Sequence, residues 1–205
     1  MNQASKLIST VFLLAVIVFG GQFCFSQTET KQSFEPNYEA MLYVIIGSSD
    51  PAQNADMPKS LSSVSRQLRD TFAYTSYSLA NTYFGRIANS GGLEYKSVSN
   101  IFGLEQGGDS PSFLDWRLAG LKSTIDDSGK RSLQIQAFRF GARVPVKFAD
   151  LRDQSGKPSV SINYESVGLT LDRMGVPEGS PTLIGTITLP KTTGTMFLVL
   201  AIRPV

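Results

Sequence analysis

Apolar and polar positions along the chain fall into three rhythms: unbroken runs, one helical stripe and strand-like alternation. The run Glu39–Gly47 (EAMLYVIIG) is apolar and β-branched without alternation, which predicts a first strand buried on both faces. Ser48–Pro58 carries Ser, Asp, Pro and Asn punctuation and predicts a loop. Pro58–Thr71 predicts the clearest helix. Leu61, Val64, Leu68 and Phe72 fall at i, i+3, i+7 and i+11, while Lys59, Ser62, Ser65, Arg66 and Arg69 lie off that stripe, facing water. From Tyr74 the period drops to two, with Tyr77, Leu79, Asn81 and Tyr83 alternating as in a strand. Ser90-Gly91-Gly92 makes a turn into a further short strand, Leu93–Val98.

Beyond the Gly-rich loop Asn100–Pro111, every readable segment is a strand. Phe113–Leu121 contains Trp116, Leu118 and a kink-prone Gly120, and Asp126-Asp127-Ser128-Gly129-Lys130 has the composition of a hairpin turn. Leu133–Phe148 changes phase: Leu133, Ile135 and Ala137 are apolar at odd positions, whereas Phe138, Phe140, Ala142, Val144 and Val146 are apolar at even ones. A period of two cannot change faces without an extra residue, so a β-bulge is expected near Ala137-Phe138. A similar slip separates Val160, Ile162 and Tyr164 from Val167, Leu169 and Leu171. Leu183–Leu189 alternates, Pro190–Gly194 turns, and Met196–Ile202 (MFLVLAI) is apolar on both faces, as in a central strand.

The fold class that follows is α+β, mostly β. A small βαβ-type portion over 38–99, with one amphipathic helix, precedes an antiparallel β-sandwich-like portion over 100–205. The pattern leaves open whether the two portions share one core.

Residues 1–26 read as an export address rather than as structure. Lys6 supplies the positive charge and Val11–Phe19 an apolar run of nine residues. Gly20 and Gly21 break that run, and Cys24-Phe25-Ser26 places small residues at −3 and −1 before Gln27. A membrane span needs about 20 apolar residues. Cleavage before Gln27 is the expectation, with residues 27–37 as a polar tether. Retention as an N-terminal anchor and lipidation at Cys24 are the alternatives. The expected location is exported, periplasmic or outer-envelope associated. Any membrane contact is then expected only through the N-terminal segment, if it is retained.

Composition narrows the chemistry. The 205 residues contain no histidine and one cysteine, Cys24. Past residue 26, His-based triads, Cys nucleophiles, disulfides and zinc, haem or iron–sulfur ligation through His or Cys are excluded. The absence of cysteine there suits a bacterial periplasm better than a disulfide-stapled secreted domain. The 19 basic and 17 acidic residues give +2, or +1 without Lys6, so no nucleic-acid partner is expected. Carboxylates are the remaining acid/base groups. Asp126-Asp127 fits a turn. Asp150 and Asp153 fail the calcium-loop spacing, because Arg152 falls at position 3. No S-x-x-K spacing occurs in 27–205, and Gly91-Gly92, Gly103 and Gly107-Gly108 match no phosphate-cradling loop. Neither a catalytic residue nor a cofactor is expected.

Two features remain as a candidate binding surface. Arg139, Arg143 and Lys147 share the strand face opposite Phe138, Phe140, Val144 and Val146, suiting an acidic partner or glycan, or an ordinary solvated face. Tyr74, Tyr77 and Tyr83, with Phe84 and Tyr95 near by, form a dense aromatic stretch that either packs or presents a platform.

LYVIIG followed by MPKSLSSVSRQLRDTFAYTSYSL resembles the small periplasmic modules of bacterial secretion and pilus systems, including the N-domains of secretins. The segment VGLTLDRMGVPEGSPTLIGTITLPKTTGTMFLVLAIRPV resembles the closing strands of secretin-associated proteins. Together these cover under half of the chain beyond residue 26, with no room for a secretin's barrel. The resemblance implies a cell-envelope assembly protein rather than a pore. The leading expectation is a non-enzymatic exported envelope protein acting through contacts with other envelope proteins, or with copies of itself as a homo-oligomer. The alternatives are a periplasmic ligand- or glycan-binding module, a carboxylate-based hydrolase acting on envelope polymers, and an accessory subunit of a membrane complex.

Overall fold

A computed structural model of the chain describes residues 37–49, 57–99, 110–125, 129, 131–152, 158–189 and 194–205, with the side chains of 147–152 and 158–160 left out. The expected export address, the expected tether up to residue 36, Asp126-Asp127, Asp153 and the side chains of Lys147 and Asp150 lie outside this description.

The chain runs β1 (Asn37–Ser48), a 3-10 turn (Lys59–Leu61) leading into α1 (Ser62–Thr71), β2 (Ser76–Ala88), β3 (Gly92–Ser99) and β4 (Ser112–Ala119). It continues through β5 (Lys122–Ile125), β6 (Arg131–Arg152), β7 (Pro158–Pro177), β8 (Thr182–Thr188) and β9 (Thr195–Pro204). Sheet A has the order β2-β1-β9-β8. In sheet B, β3 pairs with β4, β4 and β5 lie in succession along one edge of β6, and β7 runs along the other. Every pairing is antiparallel. The mostly-β reading stands, but the expected βαβ unit does not: β1 and β2 flank the helix and pair antiparallel, with Asn37 opposite Ala88 and Ser48 opposite Ser76. A parallel crossover would have had to return to the starting end of the sheet; here the helix lies over the end at which β1 finishes and β2 begins.

Two apolar layers hold the fold. Between the sheets, Leu42, Val44, Tyr83, Leu198 and Leu200 meet Leu118, Leu133, Trp116, Phe138 and Phe140. On the other face of sheet A, Leu61, Val64 and Leu68 of the helical segment pack on Tyr43, Ile45, Tyr77, Phe197 and Val199. Sheet A is therefore buried on both faces, which explains the unbroken MFLVLAI run. The cores combine strands from both sides of residue 100, because β9 inserts between β1 and β8. A ten-residue helix is marginal alone in water. Burying Leu61, Val64 and Leu68 contributes roughly 1.5–3 kcal/mol each, so α1 exists because sheet A carries it.

Three irregularities set which side chains face where. Val44 pairs with Asn81 and Ile45 with Leu79, leaving Ala80 as an extra residue in β2. Leu183 pairs with Val199 and Gly185 with Leu198, so Ile184 is an extra residue in β8, where the sequence suggested clean alternation. In β6, burial does change phase, from Leu133 and Ile135 to Phe138 and Phe140, but not through the expected bulge at Ala137-Phe138. Ile135 pairs with Met174 and Ala137 with Asp172, so the β6–β7 register is unchanged across the switch. Gln136 and Arg173 drop out of the ladder together, Arg173 with φ 56, and both strands change faces in step. Gly120, with φ 68, separates β4 from β5 at this level, and a side chain there would collide with Gln136. The β6–β7 register shift itself falls at Phe148/Leu151.

Candidate functional site

The structure separates the candidate tyrosines. The extra residue Ala80 turns Tyr77 toward the helix layer and Tyr83 into the layer between the sheets, although six positions part them in sequence. They are 4% and 3% exposed, so neither lies on a platform. The Tyr77 hydroxyl faces the carbonyl oxygens of Leu68 and Phe72 at 2.9 and 3.0 Å, donating at the helix C-terminus. The Tyr83 hydroxyl accepts from Asn81 Nδ2 at 3.1 Å and from Ser97 Oγ at 3.4 Å. Burial pushes both phenols above the ordinary tyrosine range. Tyr74 is half-buried, bonded to the Thr195 hydroxyl and edge-on to Phe197. Gly47 leaves the space these rings fill: a Cβ there would lie 2.7 Å from Phe197 and 3.0 Å from Tyr74.

Arg139 and Arg143 do lie on an open face. Arg139 and Arg143 project from β6 on the outer side of sheet B, away from Phe138 and Phe140. The backbone of Lys147 continues the same strand opposite Ile162. Arg143 is part of an aromatic cluster built by cross-strand neighbours. Its guanidinium carbon lies 5.8 Å from the ring centre of Phe113 on β4 and 5.5 Å from that of Tyr164 on β7. The two rings are 5.7 Å apart. Val98 of β3 pairs with Phe113, and Ile162 lies two residues along β7 from Tyr164. Val98, Phe113 and Ile162 are 62%, 41% and 37% exposed, forming an apolar stripe across one end of the sheet. Sequence reading missed this stripe because its members come from three strands and become neighbours only through register. Arg139 sits opposite Arg117 and Thr170, with no aromatic beside it.

A separate charged group lies on sheet A. Glu39 of β1 accepts from Arg203 at 2.9 and 2.7 Å and from Arg86 at 3.3 Å, joining three adjacent strands. The hydrogen bond to Arg203 leads in holding the Glu39 carboxyl below its ordinary range. Among the described residues, no group of three His, Cys, Asp or Glu side chains is placed to hold a metal ion. No helix among them is long and apolar enough to cross a membrane.

The sheet edges are the other open feature. Among the described residues, β3 and β7 pair with a strand on one side only, and both lie at the margins of sheet B. Past Arg143, β6 has no β4 partner among the described residues, yet β6 and β7 remain paired as far as Arg152 and Pro158. The two longest strands therefore run on as a two-stranded arm.

No family model matches the chain, and no curated protein does. Among solved structures, the chain is similar to the secretin InvG of the Salmonella SPI-1 type III secretion injectisome in its open gate state. Identity is 9% over 96% of this chain and 65% of that one, with a TM-score of 0.32. It is also similar to the InvG secretin domain β-barrel, with 9% identity over 83% and 63% and a TM-score of 0.28. The type IV competence pilus secretin PilQ of V. cholerae is similar at 12% identity over 83% and 58%, with a TM-score of 0.28. In each case this chain spans less than two thirds of the chain it resembles.

Proposed function

We propose that this is an exported, non-enzymatic envelope protein that works through protein–protein contacts as a repeated part of a secretion, pilus or other membrane-associated assembly. The observation that carries this reading is the polarity of sheet B. Its strands β3, β4, β6 and β7 alternate in direction, so the two open margins run opposite ways. When copies are related by rotation about an axis, β7 of one lies antiparallel to β3 of the next, and the sheet continues from copy to copy. Such head-to-tail contacts close into a ring when the rotation divides the circle. Main-chain hydrogen bonds supply the affinity and edge side chains the register.

The edges favour this use. Between Pro158 and Pro177, β7 contains no proline, and neither does β3, so no proline ring removes an N–H donor from either margin. Long open edges are a liability that solitary proteins blunt with proline, short strands or covering loops. The export address of residues 1–26 supports the location, and the near balance of charge suits protein partners rather than nucleic acid. The open aromatic–arginine cluster belongs to the same sheet and lies beside the arm.

Analytical ultracentrifugation of the full chain in mild detergent tests the reading. Stable oligomers are expected. Successive residues in a strand direct their N–H groups to opposite edges, so one of Ser97→Pro and Val98→Pro removes only an outward donor. That variant is expected to keep the wild-type circular dichroism and sediment as a monomer. A wild-type chain that is monomeric at every concentration overturns the proposal.

A further inference from the structure

Along the exposed side of α1 and its leading 3-10 turn runs a groove of about 440 Å³, lined by Lys59, Ser62, Ser65, Arg66, Arg69 and Asp70, with Met57 and Pro58 at one end. Lys59, Arg66 and Arg69 are exposed and share the helical face opposite the buried Leu61, Val64 and Leu68. Among the described residues, three cations therefore line the groove with one carboxylate. Among the described residues, none of the three cations forms an ion pair with an acidic side chain.

We infer that this groove docks an acidic, extended segment of a partner protein, a contact separate from the strand edges and independent of how those edges are used. Charge selects an anionic occupant. Arg presents a fixed fork of donors, Lys three rotating ones, and the two serines add hydroxyls, a donor set that suits carboxylates. Shape selects a chain rather than a membrane. A bilayer-binding helix presents large apolar side chains for insertion, and the apolar side of α1 is occupied by sheet A. Among the described residues, the large exposed apolar ones, Phe84, Tyr95, Val98, Phe113, Ile125 and Ile162 among them, all lie elsewhere.

Spacing sets the size of the ligand. At about 1.5 Å rise per residue in α1, Arg66 and Arg69 are about 4.5 Å apart along the axis, and with about 2.0 Å per residue through the 3-10 turn Lys59 lies about 12 Å before Arg66. The whole row spans about 16 Å, which an extended peptide at about 3.3 Å per residue covers in roughly five residues. The ligand is accordingly a short strand-like segment with two or three carboxylates.

The test is fluorescence anisotropy of a labelled glutamate-rich heptapeptide titrated with the full chain. Saturable binding is expected at low salt and is expected to vanish at about 1 M salt, where the Debye length is about 3 Å. The variant K59E/R66E/R69E should bind at least about tenfold more weakly, the combined effect of three exposed ion pairs. R66Q/R69Q, which leaves every buried side chain in place, should lose a smaller part. The control R117E/K122E, at exposed positions of β4 and β5 in sheet B, should stay within about twofold of wild type. The inference is overturned by no saturable binding at low salt, by equal loss in the control, or by binding confined to anionic phospholipid vesicles while the peptide is ignored.

Discussion

Removing one hydroxyl, by Tyr77→Phe, tests whether the short helix is held by the sheet in the way the geometry indicates. The Tyr77 ring is 5.8 Å from Phe197 and 6.3 Å from Tyr74, and phenylalanine keeps those contacts. Only the O–H is lost, a single proton shared between the carbonyls of Leu68 and Phe72 at 2.9 and 3.0 Å. The Leu68 oxygen also accepts from the Phe72 N–H at 2.9 Å, so it keeps a partner. The Phe72 carbonyl loses the hydroxyl and, being half-buried, regains water incompletely. The expected cost is about 1 kcal/mol, the usual net worth of one internal hydrogen bond. For a chain of this size that lowers the midpoint by about 2–4 °C. Tyr77→Ala removes the ring as well and should cost about 3–5 kcal/mol, as for other large aromatic truncations. Urea unfolding followed by far-UV circular dichroism measures both, with the slope expected to stay constant. A Tyr77→Phe variant indistinguishable from wild type would show that the hydroxyl does not cap the helix. A variant as damaging as Tyr77→Ala would show that the ring contacts, as described, carry nothing.

Other perturbations follow from the same geometry. At Gly168 a Cβ would lie 2.7 Å from the Phe140 carbonyl oxygen, a backbone atom that no rotamer change can move. Gly168→Ala should therefore cost about 1–3 kcal/mol in urea. At Gly141 the atom met is the exposed Asp115 carboxylate, and Gly141→Ala should cost less. Deleting Ala80 removes the extra residue of β2 and sends Tyr77 and Leu79 to the wrong face. The loss should exceed about 5 kcal/mol, seen as the absence of a cooperative thermal transition. Burial raises the phenol pKa values of Tyr77 and Tyr83 in the folded state. The unfolded chain therefore releases those protons first. The contribution of these two groups to stability should be constant below about pH 10 and fall as the pH rises through the folded-state values. Tyr77→Phe should flatten part of that decline, and a profile equally steep in the variant would argue against the assignment.

How much of this was legible in the sequence depended on how local its cause was. The helical stripe of Leu61, Val64 and Leu68 repeats within ten residues and marked α1 correctly. The unbroken MFLVLAI run correctly marked a strand buried on both faces, since burial on two sides leaves no alternation to read. The positions of Tyr77 and Tyr83 were not legible. Alternation from Tyr77 to Tyr83 looks continuous, and only the pairing of Ile45 with Leu79 and Val44 with Asn81 reveals the extra residue between them. The phase change in β6 was visible, but its mechanism required β7: two strands that lose one ladder residue each keep their register, a compensation no single strand displays. The Arg139 and Arg143 face was read correctly as opposite the buried phenylalanines. Its aromatic companions were hidden, because Phe113, Arg143 and Tyr164 come from three strands.

The position of β9 governs when the protein can fold. Tyr38 pairs with Pro204 and Gly47 with Thr195, so the centre of sheet A joins segments more than 140 residues apart in the chain. Without β9, β1 and β2 can form only a hairpin, with its apolar edge open and the floor beneath α1 incomplete. Loop closure over such distances makes folding slow. β9 thus acts as a timing element, because the closed sandwich cannot form without it.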